Sequence, residues 1–155
     1  MASLTLQVVL QRAIEKEIES QRLYTDLSRK VKDTVARDAL RKLTKQEKGH
    51  QTLLERYLQG KLKEGVLNPG LTIDYKIAGT LDEPETSPIM GLKDVFLLAA
   101  RREKAAHELY LGLAQIHPTG KVRQLIEDLA AQELEHKRQV ETLYTEVAFP
   151  QTDGG

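Results

Sequence analysis

One pattern occurs twice in this chain, at a fixed spacing of 86 positions and without a gap. Leu6 aligns with Leu92, Val9 with Val95, Ala13 with Ala99, Glu17 with Glu103 and Leu23-Tyr24 with Leu109-Tyr110. Further on, Leu27 aligns with Leu113, Leu43 with Leu129, Gln46-Glu47 with Gln132-Glu133 and His50 with His136. A single offset held across some fifty positions implies two copies of one structural unit, related by an internal pseudo-twofold.

Apolar residues inside each copy recur at helical spacing. The first helix runs from Leu6 through Leu10, Ala13, Tyr24 and Leu27 to Val31, with Ser3 as its expected N-cap. The second begins near Asp33 or Thr34, carries Ala36, Leu40, Leu43, Leu54 and Tyr57, and stops at Gly60. The third is expected to open at Ser87-Pro88, a cap followed by proline at the first helical position, and to close at His117-Pro118. The fourth extends from about Thr119 to about Val147. Short turns inside each pair make two antiparallel hairpins.

Between them, GKLKEGVLNPGLTIDYKIAGTLDEPETS has too many Gly and Pro breaks for a long helix, although Leu71–Ile77 alternates well enough for a short extended piece. The expected architecture is all-α, an antiparallel four-helix bundle of two pseudo-symmetric hairpins with one long crossover. We read 1–155 as a single domain: a hairpin over about 3–60, the crossover 61–87, a hairpin over about 88–147 and a polar tail 148–155, too short for a fifth helix.

Length and composition agree with this. At 155 residues the chain can bury one core without cross-links. The 23 Lys+Arg balance 23 Asp+Glu, which removes the electrostatic footprint of a nucleic-acid or anionic-membrane binder. No secretory leader or membrane span is evident in the text, so the expected compartment is the cytoplasm. With no Cys, thiolate zinc sites, Fe–S clusters and cysteine nucleophiles are excluded, and any metal must be held by Glu, Asp and His.

The repeat matters because charged residues interrupt its apolar stripes. Glu17 sits in the middle of the stripe 6, 10, 13, 17, 20, 24, 27, 31, and Glu103 in the middle of 92, 96, 99, 103, 106, 110, 113. Glu47 and His50 occupy the centre of the second stripe, Glu133 and His136 that of the fourth. Glu-x-x-His puts both side chains on one helix face. Four carboxylates meeting in a core would repel unless compensated. Two divalent cations would neutralise them, and two imidazoles would complete the coordination without adding charge. Such oxygen-rich donors with one nitrogen per metal suit iron or manganese. The bland reading, ion pairs across a bundle seam, leaves both histidines inside apolar stripes unexplained.

The texts AIEKEIESQRLY and AARREKAAHELY each place Glu seven residues before Tyr, and LTKQEKGH and LAAQELEH supply two Glu-x-x-His helices. In these motifs the chain, from Leu6 to about Val147, resembles the rubrerythrin branch of the ferritin-like di-iron carboxylate proteins. The resemblance implies a ferritin-like bundle with two iron ions held by Glu17, Glu47, His50, Glu103, Glu133 and His136, Glu47 and Glu133 bridging both; Mn or Zn could substitute. It implies a non-haem di-iron oxidoreductase that oxidises Fe(II) or reduces O₂ or H₂O₂. The alternatives are a non-catalytic iron-binding or metal-buffering protein, and a structural bundle with a relict site.

Rubrerythrins commonly carry a further carboxylate where this chain has Ala106, which puts peroxidase activity in question. Their cysteine-rich rubredoxin module has no counterpart among these residues, so an external electron-donor protein is expected. A homodimer is expected by the same analogy, with exchange of hairpins permitted by the crossover.

Several residues stand beside this set. Tyr24 and Tyr110 lie two turns from a ligand on the same face, where their hydroxyls either pack in the core or bond a ligand carboxylate. His107 offers an additional ligand, against the simpler reading of a partly exposed imidazole. Gln46 and Gln132 are expected to face a neighbouring helix, His117 to be a turn residue, and Arg101-Arg102 and Lys61/Lys63 to be solvated.

Overall fold

The computed structural model describes residues 4–82 and 91–148. Its elements are α1 (Leu6–Lys30), α2 (Thr34–Leu58), a one-turn α3 (Tyr75–Ala78) leading into a 3₁₀ turn (Gly79–Asp82), α4 (Leu92–Ile116) and α5 (Lys121–Ala148). The four long helices form the bundle, packed most closely within each hairpin, α1 on α2 and α4 on α5. The turns between them are Val31–Asp33 and 117–120.

The helix ends follow local chemistry. Asp33 caps α2 through Ala36 N–H (3.1 Å). At the other end Gly60 takes φ +70°, and Gly60 N–H and Lys61 N–H return to the carbonyls of Tyr57 and Arg56 at 3.2 and 2.9 Å. That is the paired closure that satisfies the last carbonyls of a helix, and it needs a residue without Cβ strain.

The start of α1 departs from expectation. Thr5, not Ser3, is the cap, its hydroxyl accepting from Val8 N–H at 3.3 Å; Ser3 lies outside the described residues. The next free donors of α1, Leu6 and Gln7 N–H, are satisfied by the Leu71 and Pro69 carbonyls of the crossover at 2.8 and 2.9 Å. Ile73 N–H bonds Leu4 C=O at 2.8 Å, and Thr5 pairs with Thr72 in an isolated antiparallel bridge. The extended piece read over Leu71–Ile77 is therefore shorter. Asp74 accepts from Lys76 N–H at 2.9 Å and turns the chain into α3. Ile77 of α3 then seats on Gly112 of α4, where an added Cβ would meet its Cγ2 at 3.0 Å.

The described part of α4 opens at Gly91 and Leu92, later than expected, and Ser87-Pro88 lie outside the described residues along with the tail 149–155. Helix α5 starts at Lys121 rather than Thr119.

His117 is not a simple turn residue. It is buried, with Nδ1 2.6 Å from Leu113 C=O and Nε2 2.6 Å from the Tyr57 hydroxyl, which also accepts Leu67 N–H at 2.9 Å. The carbonyl can only accept, so Nδ1 carries the proton, Nε2 accepts from Tyr57 and every role in the chain is fixed. Arg102 likewise is not a solvated charge: its guanidinium reaches from α4 to Lys16 C=O and Glu19 Oε2 on α1, both at 3.1 Å.

Apolar burial is divided into two clusters. One is built on Leu6, Leu10, Leu54, Tyr110, Leu113 and Leu129, the other on Tyr24, Leu27, Leu40, Leu43, Phe96 and Val140. Between them lies the layer of charged residues. No helix among the described residues is long and apolar enough to cross a membrane.

Candidate metal centre

Each long helix delivers its mid-stripe residues to one level of the bundle: Glu17 from α1, Glu47 and His50 from α2, Glu103 from α4, Glu133 and His136 from α5. All six are at most 3% exposed. His50 Nδ1 stands 2.5 Å from Glu133 Oε1, 3.6 Å from Glu17 Oε1 and 3.7 Å from Glu47 Oε1. His136 Nδ1 stands 2.6 Å from Glu47 Oε1 and 3.7 Å from both Glu103 Oε2 and Glu133 Oε1. The two imidazoles stack with centroids 5.5 Å apart.

The donors fall into two overlapping groups, Glu17–Glu47–His50–Glu133 and Glu47–Glu103–Glu133–His136, with one donor atom from every member of a group within 4.8 Å of the others. Glu47 and Glu133 belong to both. Each group takes three residues from one hairpin and one from the other.

Such a layer strains against its own charge. Burial raises Glu47 well above the ordinary carboxyl range, and the neighbouring Glu17, Glu133 and Glu103 push it further. Burial and the charges of Glu17 and Glu103 do the same to Glu133. Glu17 is the counterweight: burial would raise it, yet hydrogen bonding with Glu47 and His50 holds it low. Burial opposes charging of His50, but Glu133 and Glu17 outweigh it and lift the ring to about 11. The metal-free cluster thus keeps protons that water-exposed carboxylates would lose at neutral pH.

Even so, Glu17 Oε2, Glu103 Oε2, Glu133 Oε1 and His50 Nδ1 are buried without a hydrogen-bond partner. Despite the 2.5 Å between them, His50 Nδ1 and Glu133 Oε1 are not aligned as donor and acceptor. Four orphaned polar atoms in one dry layer are costly, and a cation that displaced the ring proton would give all four a partner. The donor set, oxygen-rich with one imidazole nitrogen in each group, fits two first-row divalent ions.

Comparisons with known proteins match the first hairpin in sequence and the whole bundle in fold. The Rubrerythrin family model matches residues 3–69, the first hairpin and the start of the crossover. Among solved structures, a protein from Thermotoga maritima described as a ferritin-like diiron-carboxylate protein superimposes with a TM-score of 0.71 at 20% identity. The match covers 95% of this chain and 99% of that one. Residues 3–69 are thus similar in sequence to rubrerythrins, and the fold of the chain is ferritin-like. No curated protein matches it.

Within this bundle the two tyrosines take the second of their two readings. Tyr24 OH donates to Glu103 Oε1 (2.5 Å) and Tyr110 OH to Glu17 Oε1 (2.6 Å), each reaching the carboxylate of the opposite hairpin. Burial, with those same carboxylates alongside, pushes both phenols well above their usual range, so they stay protonated donors. The pairing of 17 with 110 and 24 with 103 also shows that α1 and α4 run antiparallel.

His107 does not join the cluster. It is half-buried with Nδ1 2.6 Å from Ala130 C=O. Ala106 packs against the apolar cluster.

The residues that sequence reasoning undervalued are Gln46 and Gln132. Gln46 Oε1 lies 2.8 Å from His136 Nε2, and Gln132 Oε1 lies 2.7 Å from His50 Nε2. Their signal was available in the repeat, since both occupy the position before a stripe-centred Glu. Their partners, however, are on the opposite hairpin.

Proposed function

We propose that Glu17, Glu47, His50, Glu103, Glu133 and His136 hold two iron ions, with Glu47 and Glu133 shared between them. The protein is then a di-iron oxidoreductase that oxidises Fe(II) or reduces O₂ or H₂O₂. The observation that carries this reading is the pair of overlapping four-donor groups whose lone pairs are buried and unpartnered. Bound iron would supply one-electron steps between ferrous and ferric states.

The chain's own residues do the rest. Tyr24 and Tyr110 fix the rotamers of Glu103 and Glu17 by donating to Oε1 of each, leaving Oε2 of each buried without a hydrogen bond. Tyr110, Leu10, Leu54 and Leu129 on one side, and Tyr24, Leu43, Phe96 and Val140 on the other, keep bulk water out and strengthen every charge interaction inside. Glu47 and Glu133 release their protons as cations enter. Sustained turnover calls for an external electron-donor protein, and we extend the reading to a cytoplasmic homodimer.

Anaerobic titration with Fe(II), followed by rapid mixing with O₂ or H₂O₂, tests the proposal. We expect two Fe(II) per chain and an oxidation rate that distinguishes the two oxidants. Two bound ions that resist both oxidants would reduce the protein to a metal buffer. No uptake would remove the centre altogether.

A further inference from the structure

Two amide side chains are spent on the imidazoles of the centre, and their placement is too regular to be incidental. Gln46 on α2 bonds His136 on α5, and Gln132 on α5 bonds His50 on α2, at 2.8 and 2.7 Å. In both cases the contacted atom is Nε2, the ring nitrogen turned away from the carboxylate layer, while Nδ1 lies within 4 Å of three carboxylates. The two bonds cross between hairpins and run in opposite senses, so each hairpin orients the histidine of the other.

A neutral imidazole carries one proton. If Nδ1 is to offer its lone pair to a cation, that proton must be on Nε2, and the group facing Nε2 must accept. An amide oxygen does so without charge. A carboxylate in the same place would also accept, but two of them would turn a layer of −4 into −6 against two divalent ions.

We propose that Gln46 and Gln132 are positioning residues of the metal centre: uncharged acceptors that lock each histidine of the opposite hairpin as the Nε2–H tautomer with Nδ1 toward the metal, and that keep the layer matched to two divalent rather than trivalent ions. The inference rests on the metal-centre reading above and adds a role that the six-ligand set does not contain. The two clamps are not equivalent in setting: Gln46 is half-buried, whereas Gln132 is exposed along much of its side chain. Water can take over an acceptor role more readily at the exposed site. The larger effect is therefore expected at Gln46.

The test uses the full chain loaded with Zn(II), which is diamagnetic and needs no turnover. In the wild type, NMR of ¹⁵N-labelled protein should show both imidazoles bonded to metal through Nδ1, with slowly exchanging Nε2–H protons. Gln46→Leu should speed exchange at His136 alone, Gln132→Leu at His50 alone, and each should weaken Zn(II) binding by about 10–100-fold in competition with a chromophoric chelator. Gln46→Glu and Gln132→Glu keep an acceptor and should restore Zn(II) affinity. In the iron-loaded protein each Glu should raise the ratio of Fe(III) to Fe(II) affinity about tenfold or more, read as a more negative midpoint potential.

Two results would overturn the role of the glutamines. One is Leu variants that bind Zn(II) like the wild type with unchanged Nε2–H exchange. The other is Leu and Glu variants that lose affinity equally, which would mean that packing matters and the acceptor does not. Failure of the wild type itself to bind Zn(II) or Fe(II) is a separate outcome, for it removes the metal centre and this inference with it.

Discussion

Glu47 and Glu133 differ from the other carboxylates in belonging to both donor groups. Replacing both by Ala should abolish uptake of both ions, whereas Glu17→Ala should weaken only the site it shares with His50. Equilibrium dialysis followed by metal analysis reads this as stoichiometry. A second consequence concerns pH. Glu47 and Glu133 are raised in the folded chain, and His50 is raised to about 11. Groups raised on folding stabilise below their unfolded pKa, and that contribution is lost as pH climbs through the folded value. The metal-free protein should therefore lose thermal stability between pH 7 and pH 8.5, and melting curves in chelator should show it. With divalent ions present the order reverses, because cations compete with protons that are scarcer at the higher pH. A metal-free melting temperature that rises over that interval would contradict the proton assignment.

At this scale the sequence carried the six cluster residues well. Each interrupts an apolar stripe whose other members must be buried, and 3.6-residue periodicity puts each of them on the buried face of its own helix. Gln46 and Gln132 were harder. They sit just outside the stripes, and only the antiparallel approach of α2 and α5, a tertiary fact, makes 46 face 136 and 132 face 50.

Among the elements, the four long helices followed from periodicity, while their ends and the crossover depended on partners distant in sequence. The start of α1 is decided by Thr5 together with the carbonyls of Pro69 and Leu71. Leu71–Ile77 alternates like a strand, but its pairing with Leu4–Leu6 ends at Ile73, and Asp74 then nucleates a helical turn. His117 precedes a proline and looks like a turn; its burial is created by Tyr57 and by Leu67 of the crossover. The Tyr57 hydroxyl thus fastens the early crossover to the end of α4. Tyr57→Phe leaves Leu67 N–H and His117 Nε2 without that partner and should cost about 1–3 kcal/mol. Urea unfolding measures the loss, and faster hydrogen exchange at the Leu67 amide locates it. An unchanged Leu67 exchange rate would mean that the latch does not hold the crossover.

For the whole molecule, packing is closest inside the hairpins, and the charged layer is where the two hairpins share donors. Any ion bound there joins both halves and stabilises only the assembled bundle. At a free metal concentration 100 times the dissociation constant, one site contributes about 2.7 kcal/mol. For a chain of this size that corresponds to a rise of roughly 5–10 °C in Tm, checked by calorimetry with and without chelator. A melting temperature indifferent to metal would mean that the ions bind elsewhere.

The crossover has a kinetic meaning as well. Neither hairpin alone contains a complete donor group, so two separate hairpins would have to meet before a cation could be held, and dilution would empty the layer. The covalent tie, anchored at Leu67 by Tyr57 and at Ile73 by Leu4, turns that encounter into an intramolecular one at an effective concentration on the order of millimolar. Site assembly within one chain then becomes independent of how much of the protein is present.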